Sequence, residues 1–166
     1  MIHVQFLKEI FVDSYSSVKL HTMSITHAES VWQPPFGGNS INWIMGHLVV
    51  SRCNFMFPLG VASIWTMDQC MRFIPGSAPV TGDSDSVPFD SLLSDFDRTQ
   101  KQLISALETA AVEKLGQSSG AGSSDASSSG ASSSGARSIA ESLVYYQSHE
   151  AEHAGYLELL CRLARY

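Results

Sequence analysis

The sequence predicts an all-α protein whose architecture is a four-helix bundle. Three observations carry this prediction: apolar residues recur at steps of three and four in four long segments, breaks rich in Gly, Pro or Ser separate those segments, and no segment is convincing as a β-strand. Helices of this kind bury their apolar faces by packing on one another, and four of them in a row favour a bundle.

The first predicted helix covers residues 2–23, where apolar side chains follow helical spacing and Gly and Pro are absent. Thr26 and Glu29 then have the spacing of a capping box, which predicts a short helical turn. Residues 34–38, Pro-Pro-Phe-Gly-Gly, break the chain after that turn.

The second predicted helix covers residues 41–57 and is capped by Asn39 or Ser40. Because it is apolar on nearly every face, we expect it to be the most buried helix. It contains His47, and Gly46 beside it would let another helix approach closely.

The rest of the chain is predicted to contain a long ordered loop at 61–87 and a third helix at 88–115, ended by Gly116. Residues 117–137 are almost entirely Ser, Gly and Ala, a composition that predicts a flexible connector. The fourth helix is expected at 138–165.

Length and composition limit the class of protein. With 166 residues and 44% apolar residues, the chain is predicted to be one globular domain over 1–166. A net charge of −6 argues against nucleic acid and anionic membrane surfaces as partners. No apolar run of membrane-spanning length and no signal-peptide pattern is visible, and the cysteines are few and widely spaced. These features predict reduced thiols and a cytoplasmic location.

The fourth helix carries the most informative pair of residues, His149 and His153. Residues four apart on a helix lie about 40° apart and roughly 6 Å along the axis, so both imidazoles can reach one metal ion. The pair also lies within the stripe expected to face the core: Ile139, Leu143, Tyr146, His149, His153, Tyr156, Leu160 and Leu163. Buried imidazoles need partners, and a metal ion is one such partner.

His47 is the third candidate ligand, because it is the one histidine outside the fourth helix that lies in a strongly apolar helix. The alternative is a core histidine hydrogen-bonded to a carbonyl or a tyrosine. We expect His3, His21 and His27 to be solvated or capping residues. A site of three histidines leaves a fourth position open, which is typical of catalytic metal centres.

Residues 149–153 also match H-E-x-x-H, the motif of zincin proteases, in which Glu150 would be the general base. The absence of a histidine after His153 and of a predicted strand argues against a protease. Glu150 or Glu152 could orient a ligand or accept an imidazole N–H, and Glu150, which follows His149 directly, is the candidate catalytic residue. The alternative for Glu150 is a solvated carboxylate on the helix surface.

Two motifs in this order resemble the DinB/YfiT-like family of metalloenzymes: Ser40-Ile-Asn-Trp-Ile-Met-Gly-His47-Leu48, and His149-Glu-Ala-Glu-His153-Ala-Gly-Tyr-Leu157. The double proline before the second helix and the Phe-Ile-Pro-Gly-Ser segment at 73–77 are also similar to the family. The resemblance covers nearly the whole chain. The Ser/Gly-rich segment at 117–137 is a departure from it.

The resemblance implies a four-helix bundle, a homodimer, and a divalent metal ion held by His47, His149 and His153. Zinc or nickel is the first expectation and iron the second. Family members include S-transferases that depend on low-molecular-weight thiols and a mycothiol-dependent maleylpyruvate isomerase. The chain is therefore expected to be a metal-dependent enzyme that activates a thiol or water against a small electrophilic substrate. The alternative is a metal-binding stress or interaction protein without catalysis.

Overall fold

The computed structural model describes residues 2–119 and 137–166. The described residues form seven α-helices and a 3-10 turn at Phe57–Leu59: α1 Val4–Thr22, α2 His27–Ser30, α3 Ile41–Met56, α4 Met67–Met71, α5 Phe89–Thr109, α6 Val112–Leu115 and α7 Ile139–Leu163. No β-strand occurs in these two ranges, although Ser118 and Ser138 form an isolated antiparallel bridge. The all-α prediction is confirmed.

The four long helices contact one another in a closed ring. Helix α1 packs against α5 and α7, and α3 packs against the same two helices. Nearly every residue of α3 is buried, which confirms the expectation for the second predicted helix. The histidine of this helix is therefore surrounded by protein on most sides.

The helix starts follow local sequence signals. The capping box of Thr26 and Glu29 is present, and the Ser40 hydroxyl, not Asn39, accepts the Trp43 N–H at the start of α3. At the start of α7, Ser138 and Glu141 form a second capping box. Such caps satisfy backbone N–H groups that have no partner inside the helix.

The third predicted helix was too long. Helix α5 ends at Thr109, Ala110 and Ala111 are extended, and a separate short helix follows as α6. This break turns the chain so that Leu115 at the end of α6 is buried in the same core cluster as Ile139 of α7. Apolar spacing continues across the break, so periodicity alone could not reveal it.

The segment between α3 and α5 contains the short helix α4, capped by Thr66 and Gln69. Trp65 and Phe73 of this segment are buried in the core. The predicted flexible connector lies mostly at 120–136, outside the described residues. Its ends are paired, because the Ser119 N–H donates to the Arg137 carbonyl at 3.0 Å.

None of the helices within the described ranges is long and apolar enough to cross a membrane. The three cysteines, Cys53, Cys70 and Cys161, are all free thiols, as predicted. Burial raises the pKa of the Cys161 thiol to about 11, so this thiol is protonated at neutral pH.

Candidate metal centre

The structure brings the three sequence-predicted histidines together. One nitrogen each of His47, His149 and His153 lies within 4.8 Å of the others. His47 comes from α3 and the other two from α7, so the contact between these helices forms the cluster. His47 is buried, whereas His149 and His153 are partly exposed.

A backbone carbonyl fixes the orientation of the His47 ring. The Nδ1 atom of His47 lies 2.7 Å from the carbonyl oxygen of Phe73. Because a carbonyl only accepts, Nδ1 carries the hydrogen and donates it. In the neutral ring the lone pair is then on Nε2, which lies 3.0 Å from Nε2 of His149.

The protonation state of His153 also suits metal binding. Its pKa is lowered to about 3, first by burial and then by its proximity to His149 and His47. At neutral pH this imidazole is therefore uncharged and offers a lone pair. A metal ion does not have to displace a proton from it.

The donor set fits a divalent transition metal. Nitrogen atoms that bind one tetrahedral ion at 2.0–2.1 Å stand about 3.4 Å apart. In this cluster the Nε2 atoms of His47 and His149 lie 3.0 Å apart, and one nitrogen from each of the three rings lies within 4.8 Å of the others. The hydrogen bond from His47 Nδ1 to a carbonyl is the usual outer contact of a metal-binding histidine. Imidazole ligands suit zinc, nickel, copper and iron alike.

An aromatic ring covers one face of His47. Trp43, one turn earlier on α3, stacks on it with ring centroids 5.0 Å apart and planes 11° apart. The Trp43 indole N–H donates to the Ser77 hydroxyl at 3.0 Å. Segment 72–77 therefore contacts the site at two points: the Phe73 carbonyl bonds to His47, and the Ser77 hydroxyl bonds to Trp43.

Gly46 permits a close approach, but the partner differs from the prediction. A Cβ at position 46 would lie 2.4 Å from the ring of Phe73, so the phenyl ring packs directly on the α3 backbone. The sequence predicted a neighbouring helix there. The neighbour is instead the loop residue whose carbonyl orients His47.

Replacing Gly46 with Ala is expected to destabilise the fold by about 1–3 kcal/mol, because the buried Phe73 ring must move to admit a methyl group. Moving Phe73 also displaces the carbonyl that orients His47, so we expect about tenfold weaker metal binding. Thermal unfolding and titration with Zn²⁺ measure the two effects.

Gly155→Ala is the matched control, since a Cβ at position 155 meets nothing within 4 Å. It should leave metal binding unchanged and slightly stabilise α7. Equal metal affinity in Gly46→Ala and the unaltered protein would contradict the role assigned to Phe73.

Glu150 lies beside the cluster in a buried ion pair. Its side chain is 3% exposed, so the alternative of a solvated surface carboxylate is wrong. Arg52 donates from Nε to Oε2 and from Nη2 to Oε1, both at 2.7 Å, and Ser14 donates to Oε1 at 2.6 Å. The catalytic role of Glu150 stays a prediction.

Sequence reasoning missed Arg52, Phe73 and Ser14. Arg52 had a usable signal, because a charged residue in a helix that is apolar on all faces needs a buried counter-ion. The carbonyl of Phe73 had none, since any residue supplies a carbonyl. His3, His21 and His27 lie outside the cluster.

Two surface grooves lie away from the histidines. One, of about 710 Å³, is lined by residues 71–72, 77–80 and 84–86. The other, of about 430 Å³, lies between α1 and α5. Ser77 connects the first groove to the site, since it also accepts the Trp43 indole N–H.

The fold and the site define an all-α protein with three histidines clustered between two long helices. The family model described as the DinB superfamily matches residues 11–157, which include all three histidines. The chain belongs to the DinB superfamily. A comparison with curated proteins gave no match.

Proposed function

We propose that this protein is a divalent-metal-dependent enzyme that activates a thiol or a water molecule against a small electrophilic substrate. The observation that carries the proposal is the clustering of His47, His149 and His153 within 4.8 Å. Three protein ligands leave a coordination position for an exogenous group, as in catalytic rather than structural zinc sites.

His47, His149 and His153 would hold the ion, with zinc or nickel preferred over iron. A bound divalent ion supplies Lewis acidity, which lowers the pKa of a water or thiol ligand toward neutrality and polarises a carbonyl. The remaining contributions come from the residues of this chain.

The Phe73 carbonyl holds the proton of His47 on Nδ1, which directs Nε2 toward the other two histidines. Trp43 and Phe73 exclude water from the α3 side, since both side chains are buried. His149 and His153 are partly exposed, so a substrate would approach from the α7 side. We expect a small-molecule substrate and a low-molecular-weight thiol as the co-substrate.

The test is turnover by metal-loaded protein. Thiol consumption would be measured with glutathione or cysteine and 1-chloro-2,4-dinitrobenzene, and hydrolysis with 4-nitrophenyl acetate. Turnover that disappears on chelation and in His153→Ala, but not in the surface control His3→Ala, would support the proposal.

The alternative from the sequence is a metal-binding protein without catalysis. Stoichiometric metal with no turnover toward any of these reagents would favour it over the enzyme. The homodimer and the cytoplasmic location stay predictions from the sequence.

A further inference from the structure

We infer that Arg52 and Glu150 are positioning residues for the metal centre: their ion pair sets the register of α7 against α3, and so the spacing of His47 from His149 and His153. The inference rests on the proposed metal-binding function. It assigns Glu150 a role other than acid–base chemistry.

The ion pair and the histidines lie on the same helix–helix contact. Arg52 follows His47 by five residues on α3, about 7.5 Å along the axis, and Glu150 follows His149 directly on α7. Helices α3 and α7 are therefore joined by two contacts, the imidazoles and the ion pair, which come from residues five apart on α3 and adjacent on α7. Two such joints fix both the axial position and the rotation of α7.

The geometry of the pair tolerates little displacement. Both bonds between the guanidinium and the carboxylate are 2.7 Å long and form the two-pronged arrangement that favours one relative orientation. A slip of one residue would move Glu150 by about 1.5 Å and 100° and break both bonds. It would also leave a charge without its partner in a site where the Arg52 side chain is 0% exposed. A buried polar contact of this kind is well suited to specifying register.

All four long helices contribute to this ion pair. Ser14 of α1 donates to Glu150, and the Nη1 atom of Arg52 lies 3.4 Å from both the Phe96 carbonyl and the Thr99 hydroxyl of α5. The guanidinium also lies over the Phe96 ring, 3.9 Å from its centroid. Contacts from α1 and α5 therefore also fix the position of the ion pair. The ion pair in turn restricts movement of the neighbouring histidines.

The decisive variant removes the polar network without leaving a charge unpaired. It combines Ser14→Ala, Arg52→Met and Glu150→Leu, because apolar replacement of a whole buried ion pair often preserves stability. Affinity for Co²⁺ and the visible absorption spectrum of the Co²⁺ form would be measured in the full chain. The spectrum reports the arrangement of the nitrogen ligands and is insensitive to stability alone.

We expect about 10- to 100-fold weaker Co²⁺ binding and an altered spectrum, at a melting temperature close to that of the unaltered protein. The matched control is the pair Glu158→Leu and Arg162→Met, which removes an exposed Arg–Glu ion pair from the same helix. This control should bind Co²⁺ with unchanged affinity and spectrum.

Unchanged affinity and spectrum in the folded triple variant would overturn the inference. If that variant does not fold, Arg52→Lys decides, since lysine keeps the charge but not the two-pronged bonding. A weaker site with a changed spectrum in Arg52→Lys supports positioning, and an unchanged one overturns it. Failure of the unaltered protein to bind Co²⁺, Zn²⁺ or Ni²⁺ would overturn the metal centre itself and this inference with it.

Discussion

His47→Ala and His153→Ala are each expected to abolish stoichiometric metal binding. Each variant leaves two imidazoles, and we expect at least about 100-fold weaker binding, since even outer-shell partners contribute 10- to 100-fold. Of the three candidate ligands, only His47 comes from α3.

Metal content by elemental mass spectrometry measures this effect directly. A second measurement is the melting temperature with and without ion, because an ion that binds only the folded state stabilises it by about 2.7 kcal/mol at 100 times the dissociation constant. For a chain of this size that corresponds to a rise of about 5–10 °C. Both variants should lose the rise.

His3→Ala is the matched control, since His3 is exposed and lies outside the cluster. It should keep one ion per chain and the full thermal shift. Retention of about one ion per chain in both His47→Ala and His153→Ala would contradict the three-histidine site.

Glu150→Gln is expected to cause the largest loss of stability from a single conservative substitution. It removes the counter-ion of Arg52, whose side chain is 0% exposed, and an unpaired buried charge costs about 3–5 kcal/mol. The melting temperature should fall by about 6–20 °C. Urea unfolding at neutral pH measures the free energy.

Glu158→Gln provides the comparison, because it neutralises a carboxylate of α7 whose partner Arg162 is exposed. Exposed pairs contribute about 0–1 kcal/mol, so this variant should unfold close to the unaltered protein. Adding Arg52→Met to a Glu150→Leu variant should recover much of the stability, since the lone charge is gone. If Glu150→Gln and Glu158→Gln lose the same free energy of unfolding, the prediction is contradicted, because removing the buried counter-ion of Arg52 would then cost no more than removing an exposed one.

The first or last residue of a helix could be predicted where a local sequence signal marked it. The capping box at Thr26 and the proline before α5 lie where sequence signals placed helix starts. Helix α7 begins where the fourth helix was expected, although its capping box at Ser138 was not predicted. The break after Thr109 could not be predicted, because the apolar spacing continues and the turn is set by burial of Leu115. Sequence patterns report local preferences, and tertiary packing overrides them.

The candidate ligands could be predicted for a similar reason. A spacing of four residues places His149 and His153 on one face of α7 regardless of what packs there. His47 was a candidate because it is the one histidine outside the fourth helix that lies in a strongly apolar helix, and the resemblance to the family supported it. The partners of these residues belong to other segments, and nothing near His47 in the chain indicates that the Phe73 carbonyl orients it.

The sequence by itself determined the all-α class, the four long helices, the family motifs and the three histidines. These depend on periodicity, caps and residue type, all of which are local. Only the tertiary structure decided that Arg52 pairs with Glu150, that Phe73 packs on Gly46, and that α3 and α7 meet with their histidines in contact. Those contacts join residues up to 102 positions apart, and their geometry follows from the packing of whole helices.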